Sequence, residues 1–242
     1  YSTKTGRAYI FYNDGSIPTT TATADVTITG ETTSNYFGCS LASGDFNSDG
    51  RTDLAVGAQG YSTNTGRIYF YDGQDNFAWT LQEQYGSTAP RISSGFSGQE
   101  LKITGEAINN YFGYSFASGD FNSDGKTDLA IGAIGYSSFT GRTYIFYSDG
   151  SIPTNAVTSD VVITGETTSS QFGISLASGD FNSDGRMDLA VGASSYSSST
   201  GRAYIFHNDG SIPTTAATAD VTITGEATTS YFGAKLISGD FN

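Results

Sequence analysis

Two hydrophobic patterns alternate along this chain, and neither has a helical period. The segment Ala8 to Tyr12 reads Ala-Tyr-Ile-Phe-Tyr, apolar at consecutive positions, which predicts a strand covered on both faces. The segment Asp25 to Thr29 sets Val26 and Ile28 against Thr27 and Thr29, the pattern of an outer strand with one solvated face. Two further strands are predicted at Cys39 to Asp45 and Asp53 to Ala58, rich in Gly, Ala and Ser, so that neighbouring backbones can approach closely. Asn-Asp-Gly at 13–15 and 208–210 and Ser-Asp-Gly at 148–150 supply turn chemistry after the consecutively apolar strand.

These patterns repeat. Thr-Gly-Arg recurs with its glycine at 6, 66, 141 and 201, a spacing of 60, 75 and 60 residues, and Phe-Gly begins at Phe37, Phe112, Phe172 and Phe232. Residues 5–47 realign on 200–242 with differences only at 12, 21, 32, 34, 35, 39, 40 and 42, which points to duplication within one architecture. Four short strands per repeat, with no helical period, predict an all-β fold: a β-propeller of four-stranded blades.

Between the first two strands of a repeat lies Asp-Phe-Asn-Ser-Asp-Gly-x-x-Asp-Leu-Ala, starting at Asp45, Asp120 and Asp180. Oxygen-bearing side chains at positions 1, 3, 5 and 9 with glycine at 6 are the spacing that wraps a chain around one Ca²⁺. The expected ligands are Asp45, Asn47, Asp49 and Asp53 with the carbonyl of Arg51. The second set is Asp120, Asn122, Asp124, Asp128 and the Lys126 carbonyl, and the third is Asp180, Asn182, Asp184, Asp188 and the Arg186 carbonyl. A helical EF-hand fits poorly, because Leu-Ala-Val-Gly-Ala or Leu-Ala-Ile-Gly-Ala follows each loop and no Glu stands at position 12. Asp240 and Asn242 open a partial fourth loop.

Phe37-Gly38, the acidic loop and Gly57-Ala58 together resemble the FG-GAP repeat, the blade unit of the integrin α-subunit propeller. The family's closing proline is replaced by Gln59, Ile134 and Ser194. The resemblance implies Ca²⁺ in the loops on one face of the propeller and ligands engaged mainly on the opposite face.

The expected organisation is one domain over residues 1–242, with four repeats of which the fourth is composite or incomplete. The reading is a window of a longer chain or part of an assembly, with a self-contained four-bladed ring as the alternative. The second repeat carries an insertion at about 74–98 holding Trp79, Phe77, Tyr85 and Phe96, expected to pack over the blade edge, with a partner-binding loop as the alternative.

Charge and composition narrow the function. A net charge of −13 makes nucleic acid an unsuitable partner. No apolar run approaches the roughly 20 residues that span a bilayer. Cys39 stands alone at a position held by Tyr114, Ile174 and Ala234, and is expected to be a small buried residue. His207 replaces Tyr12 and Tyr147 and reads as a surface variant, so no catalytic set is predicted. Arg7, Arg67, Arg142 and Arg202 are expected to pair with Glu31, Glu106, Glu166 and Glu226 of the same or an adjacent blade.

Two connectors per repeat should project away from the acidic loops, as in Gln59 to Thr65 and Glu31 to Tyr36. Their Tyr, Ser, Thr and Asn content suits recognition of a protein or glycan, with Tyr36, Tyr61, Asn64, Tyr111, Tyr136, Tyr196 and Tyr231 as candidate contacts. The expected function is an extracellular, secreted or surface-displayed calcium-binding propeller in adhesion or recognition. A structural polymer or coat subunit, involving a homo-oligomer, and a calcium-dependent lectin are the alternatives.

Overall fold

The computed structural model describes residues 2–12, 15, 19–73, 101–149 and 153–240. The insertion at 74–98, the turn residues 13–14 and Gly150, and Asn242 lie outside them. Three four-stranded antiparallel sheets follow one another, each a meander in chain order. The first holds β3 (Leu41–Gly44), β4 (Asp53–Ala58), β5 (Arg67–Tyr71) and β6 (Lys102–Thr104). The second holds β7 (Phe112–Gly119), β8 (Asp128–Ala133), β9 (Arg142–Phe146) and β10 (Val161–Thr164). The third holds β11 (Leu176–Gly179), β12 (Asp188–Ala193), β13 (Arg202–Phe206) and β14 (Val221–Thr224). Ahead of them β1 (Arg7–Ile10) pairs with β2 (Val26–Thr29) as a two-stranded sheet. The strand chemistry of each repeat thus yields one sheet per repeat, and the sheets stay separate.

The consecutively apolar third strands of the first and second sheets lie inside the stack, each between two neighbours, whereas the last strand of the third sheet stays exposed. Ile68 and Phe70 of β5 join Leu129, Ile131, Tyr144 and Phe146 of the second sheet in one cluster. Ile145 of β9, on the opposite face, joins Leu189, Val191, Tyr204 and Phe206 of the third. Successive side chains of a strand point to opposite faces, so an unbroken apolar run serves both neighbours at once. The fourth strands of the first two sheets fully cover Ile103 and Ile163, while Val221 and Ile223 of β14 are exposed.

The sheets are fastened by Phe-Gly and Gly-Ala acting together. The N–H of Gly173, just before β11, donates to the Gly192 carbonyl in the same sheet, and Ser115 Oγ of β7 donates to the Gly173 carbonyl across the junction at 2.6 Å. A Cβ at Gly132 would collide with that Gly173 carbonyl, so the glycine before the alanine is there for close backbone approach. Gly141 of Thr-Gly-Arg has φ of 83° and forms a parallel bridge to Phe172, a conformation and a closeness that disfavour a side chain. Cys39 departs from expectation: it is exposed, not buried, with its Sγ 3.5 Å from the Gly57 carbonyl and 3.6 Å from that of Gly113. Its place near the mouth of the first junction, where Tyr114 and Ile174 stand in the others, leaves it open to solvent.

Candidate functional site

In each sheet the acidic loop closes the hairpin between the first two strands. Within the first loop Asp45 receives the N–H groups of Asp49 (3.0 Å) and Gly50 (2.8 Å) on its two oxygens. Asp49 receives the Arg51 N–H at 2.9 Å and the Asn47 amide at 3.2 Å, while Asn47 Oδ1 accepts from Asp49 N–H. Asp120, Asn122 and Asp124 with the Lys126 N–H repeat this arrangement, as do Asp180, Asn182 and Asp184 with the Arg186 N–H. Asp, Asn and Gly are the residues that make such side-chain-to-backbone turns, so the loop shape follows from local sequence.

The ninth-position aspartates do different work. Asp53, Asp128 and Asp188 are buried at the start of their second strands, and each splits its two oxygens between backbone N–H groups of distant segments. Asp128 binds Phe121 N–H in the loop and Ser148 N–H beyond β9, both at 2.8 Å; Asp53 binds Phe46 and Gly73, and Asp188 binds Phe181 and Asn208. Burial, with repulsion from neighbouring aspartates and against the help of these N–H donors, pushes Asp53 and Asp128 up to about 6. Among the described residues no three Asp, Glu, His or Cys side chains already converge as a metal-holding group. The donors themselves are hard oxygens, the donor type that a hard divalent cation takes.

Two residues missed at the sequence level join the first loop. Asp72 is buried and accepts from Asn47 Nδ2 at 3.4 Å; the aligned positions are Tyr147 and His207, a mismatch that is the one sequence signal for it. Ser148 Oγ donates to the Phe46 carbonyl at 2.7 Å, so the second sheet grips the acidic loop of the first. Replacing Ser148 by alanine leaves that buried carbonyl without its partner and is expected to cost about 1–2 kcal/mol in denaturant unfolding; a variant as stable as the parent would refute the link.

The antiparallel order places the connectors after the second and fourth strands at the end opposite the acidic loops. There each third-strand arginine lies over a tyrosine: Arg67 on Tyr61 at 3.6 Å, Arg142 on Tyr136 at 3.4 Å and Arg202 on Tyr196 at 3.8 Å. The same guanidinium reaches the glutamate that ends the preceding sheet, Glu31, Glu106 or Glu166, as the sequence expected for these pairs. Tyr144 and Tyr204 hydroxyls donate to Glu106 and Glu166 at 2.6 and 2.9 Å, and burial followed by that carboxylate raises both tyrosine pKa values. Lys102 adds a second cation to Glu31. Asn64 and Tyr111 come together at 3.2 Å, with Tyr111 beside Phe139. Tyr36 lies under Lys4, and Tyr36 and Tyr231 are exposed. Tyr61, Tyr136 and Tyr196 therefore already hold arginines, leaving Tyr36 and Tyr231 as the candidates most open to a partner.

A family model described as FG-GAP repeat matches residues 37–71, 112–146 and 172–206, one match per four-stranded sheet. Integrin alpha-PS2 of Drosophila melanogaster is 33% identical over 184 residues, covering 72% of this chain and 12% of that protein. Integrin alpha-5 of Xenopus laevis is 32% identical over 168 residues, 66% of this chain and 14% of that protein. Phosphatidylinositol-glycan-specific phospholipase D of Bos taurus is 31% identical over 166 residues, 64% of this chain and 18% of that protein. The chain thus spans less than a fifth of each of these relatives. With three successive repeats matched, each on one Phe-Gly and Gly-Ala sheet, this chain is an FG-GAP repeat protein, integrin-α-like in sequence.

Proposed function

We propose that these sheets are blades of a calcium-stabilised β-propeller that acts outside the cell in adhesion or protein recognition. The observation that carries the reading is the division of each sheet into two ends, an acidic loop on a buried aspartate at one and a Tyr, Ser, Thr and Asn surface at the other. Ca²⁺ would be held by Asp45, Asn47, Asp49 and Asp53 and their counterparts in the second and third loops. When bound, it supplies the positive charge that these clustered carboxylates lack. The similarity to integrin α subunits supports recognition of a protein, and the long tyrosine-bearing connectors offer rigid contact area for one.

The proposed role is non-enzymatic. The carboxylates of the acidic loops are engaged by backbone N–H groups, and the phospholipase activity in the bovine protein's name belongs to a chain of which the match covers 18%. Among the described residues no helix is long and apolar enough to cross a membrane.

Chelation tests the calcium half of the proposal. At free Ca²⁺ 100-fold above Kd each occupied site adds about 2.7 kcal/mol, so the melting temperature should fall by several degrees in EDTA and return on adding Ca²⁺. An unchanged melting curve would remove Ca²⁺ from the account. Adhesion of chain-coated beads to extracellular-matrix proteins, weakened when Tyr36 and Tyr231 become alanine, tests the recognition half.

A further inference from the structure

At the end of the stack opposite the acidic loops, a cleft of about 660 Å³ opens between the connector that follows β10 and the turn that precedes β13. Its walls include Thr167, Thr168, Ser169, Ser195, Tyr196 and Ser198, and every residue lining it carries a hydroxyl. We propose that this cleft binds a neutral saccharide. The inference rests on the reading of this face as a recognition surface, and it names the ligand class.

The lining excludes the other classes. Tyr196 supplies the one aromatic surface and no Leu, Ile, Val or Met lines the cleft, so a purely apolar ligand leaves the lining hydroxyls unpaired. An anion finds no free cation, because Arg202 is occupied by Tyr196 on one side and by Glu166 at 2.8 Å on the other, and the chain carries a net charge of −13. A cation finds no carboxylate among the lining residues. Hydroxyls that both donate and accept match a ligand that is itself a set of neutral hydroxyls.

The cleft is also built in advance. Ser197, Ser198 and Ser199 take φ of 47°, 56° and 61° in succession, a left-handed turn disfavoured for serine. Hydrogen bonds hold it: Gly201 N–H to the Tyr196 carbonyl at 3.0 Å, Thr200 Oγ1 to the Ser197 carbonyl at 2.8 Å and Tyr231 N–H to the Ser199 carbonyl at 2.8 Å. Ser195 Oγ lies 2.8 Å from Gln171 Oε1, which ties the turn to the facing connector. The arginine above fixes the Tyr196 ring. Short hydroxyl side chains on a fixed backbone lose little freedom when a ligand docks.

The neighbouring junctions provide substitutions that the architecture already accepts. Ile108 stands where the cleft has Thr168, and Gly60 and Gly135 stand where it has Ser195. The whole chain, in Ca²⁺, is titrated with neutral mono- to tetrasaccharides of glucose, galactose, mannose and N-acetylglucosamine, alongside sialylated and sulfated sugars. At least one neutral sugar should bind with a submillimolar Kd. Thr168→Ile should weaken it tenfold or more by filling the cleft, and Ser195→Gly should weaken it by removing a lining hydroxyl and its tie to Gln171. The proposal is overturned if no neutral sugar binds, if the charged sugars bind better, or if Thr168→Ile binds as the parent does. Beads that adhere to matrix proteins while every sugar fails would leave the recognition reading standing and this inference refuted; beads that adhere to nothing while a neutral sugar binds would remove protein recognition and leave this inference standing.

Discussion

Phe172→Ala is expected to cost about 3–5 kcal/mol of stability in denaturant unfolding, the range for emptying the site of a fully buried phenylalanine. Phe172 is wholly covered, its ring edge-on to Tyr204 at 5.3 Å and to Phe206 at 6.3 Å. Its backbone bridges Gly141 of the preceding sheet, so the site cannot collapse without moving the junction between two sheets. Phe181→Ala is the control within the same repeat. Phe181 is 37% exposed in the third acidic loop, and its loss should cost well under half as much. Equal costs for the two would mean that the Phe-Gly junction is not where the stack is held.

Without divalent cations the protein should lose stability as pH rises from about 4 to 7, the reverse of ordinary carboxylate behaviour. The sign follows from the direction of the shift. Asp53 and Asp128 sit near 3.8 when unfolded and are pushed up to about 6 in the fold, first by burial. Between those values the folded chain binds more protons than the unfolded one, so each added pH unit favours unfolding. The contribution is fully present below about pH 4 and gone above about pH 6. It is on the order of 3 kcal/mol for each of these two buried groups. Asp184 is shifted the other way, chiefly by the Arg186 N–H, and it acts below pH 4, outside this window. Melting temperatures in EDTA from pH 4.5 to 7.5 should therefore decline, Asp128→Asn should flatten the decline, and saturating Ca²⁺ should abolish it. Stability that rises with pH in EDTA would contradict the burial account.

Much of this architecture was legible in the sequence because it is carried by short-range rules. The second strand was placed at Asp53 to Ala58 and forms there, and the other predicted strands lie within two residues of those observed, since strand patterns and Gly-rich turns act over a few positions. The Arg to Glu pairing was legible too, because both residues recur with the repeat. What escaped were features that break the repeat or join distant segments: buried Asp72 beside the first loop, Ser148 gripping the Phe46 carbonyl 102 residues away, and the exposure of Cys39.

The sequence alone determined the repeating strands, the acidic turns and the family. Only the tertiary structure decided that Asp53 and Asp128 are buried, that Tyr61, Tyr136 and Tyr196 lie under arginines, and that eight hydroxyl-bearing residues surround one cleft. The reason is physical: a strand or a turn is set by neighbours in the chain, whereas burial, charge and the shape of a cleft are set by whichever segments the stacked sheets bring into contact.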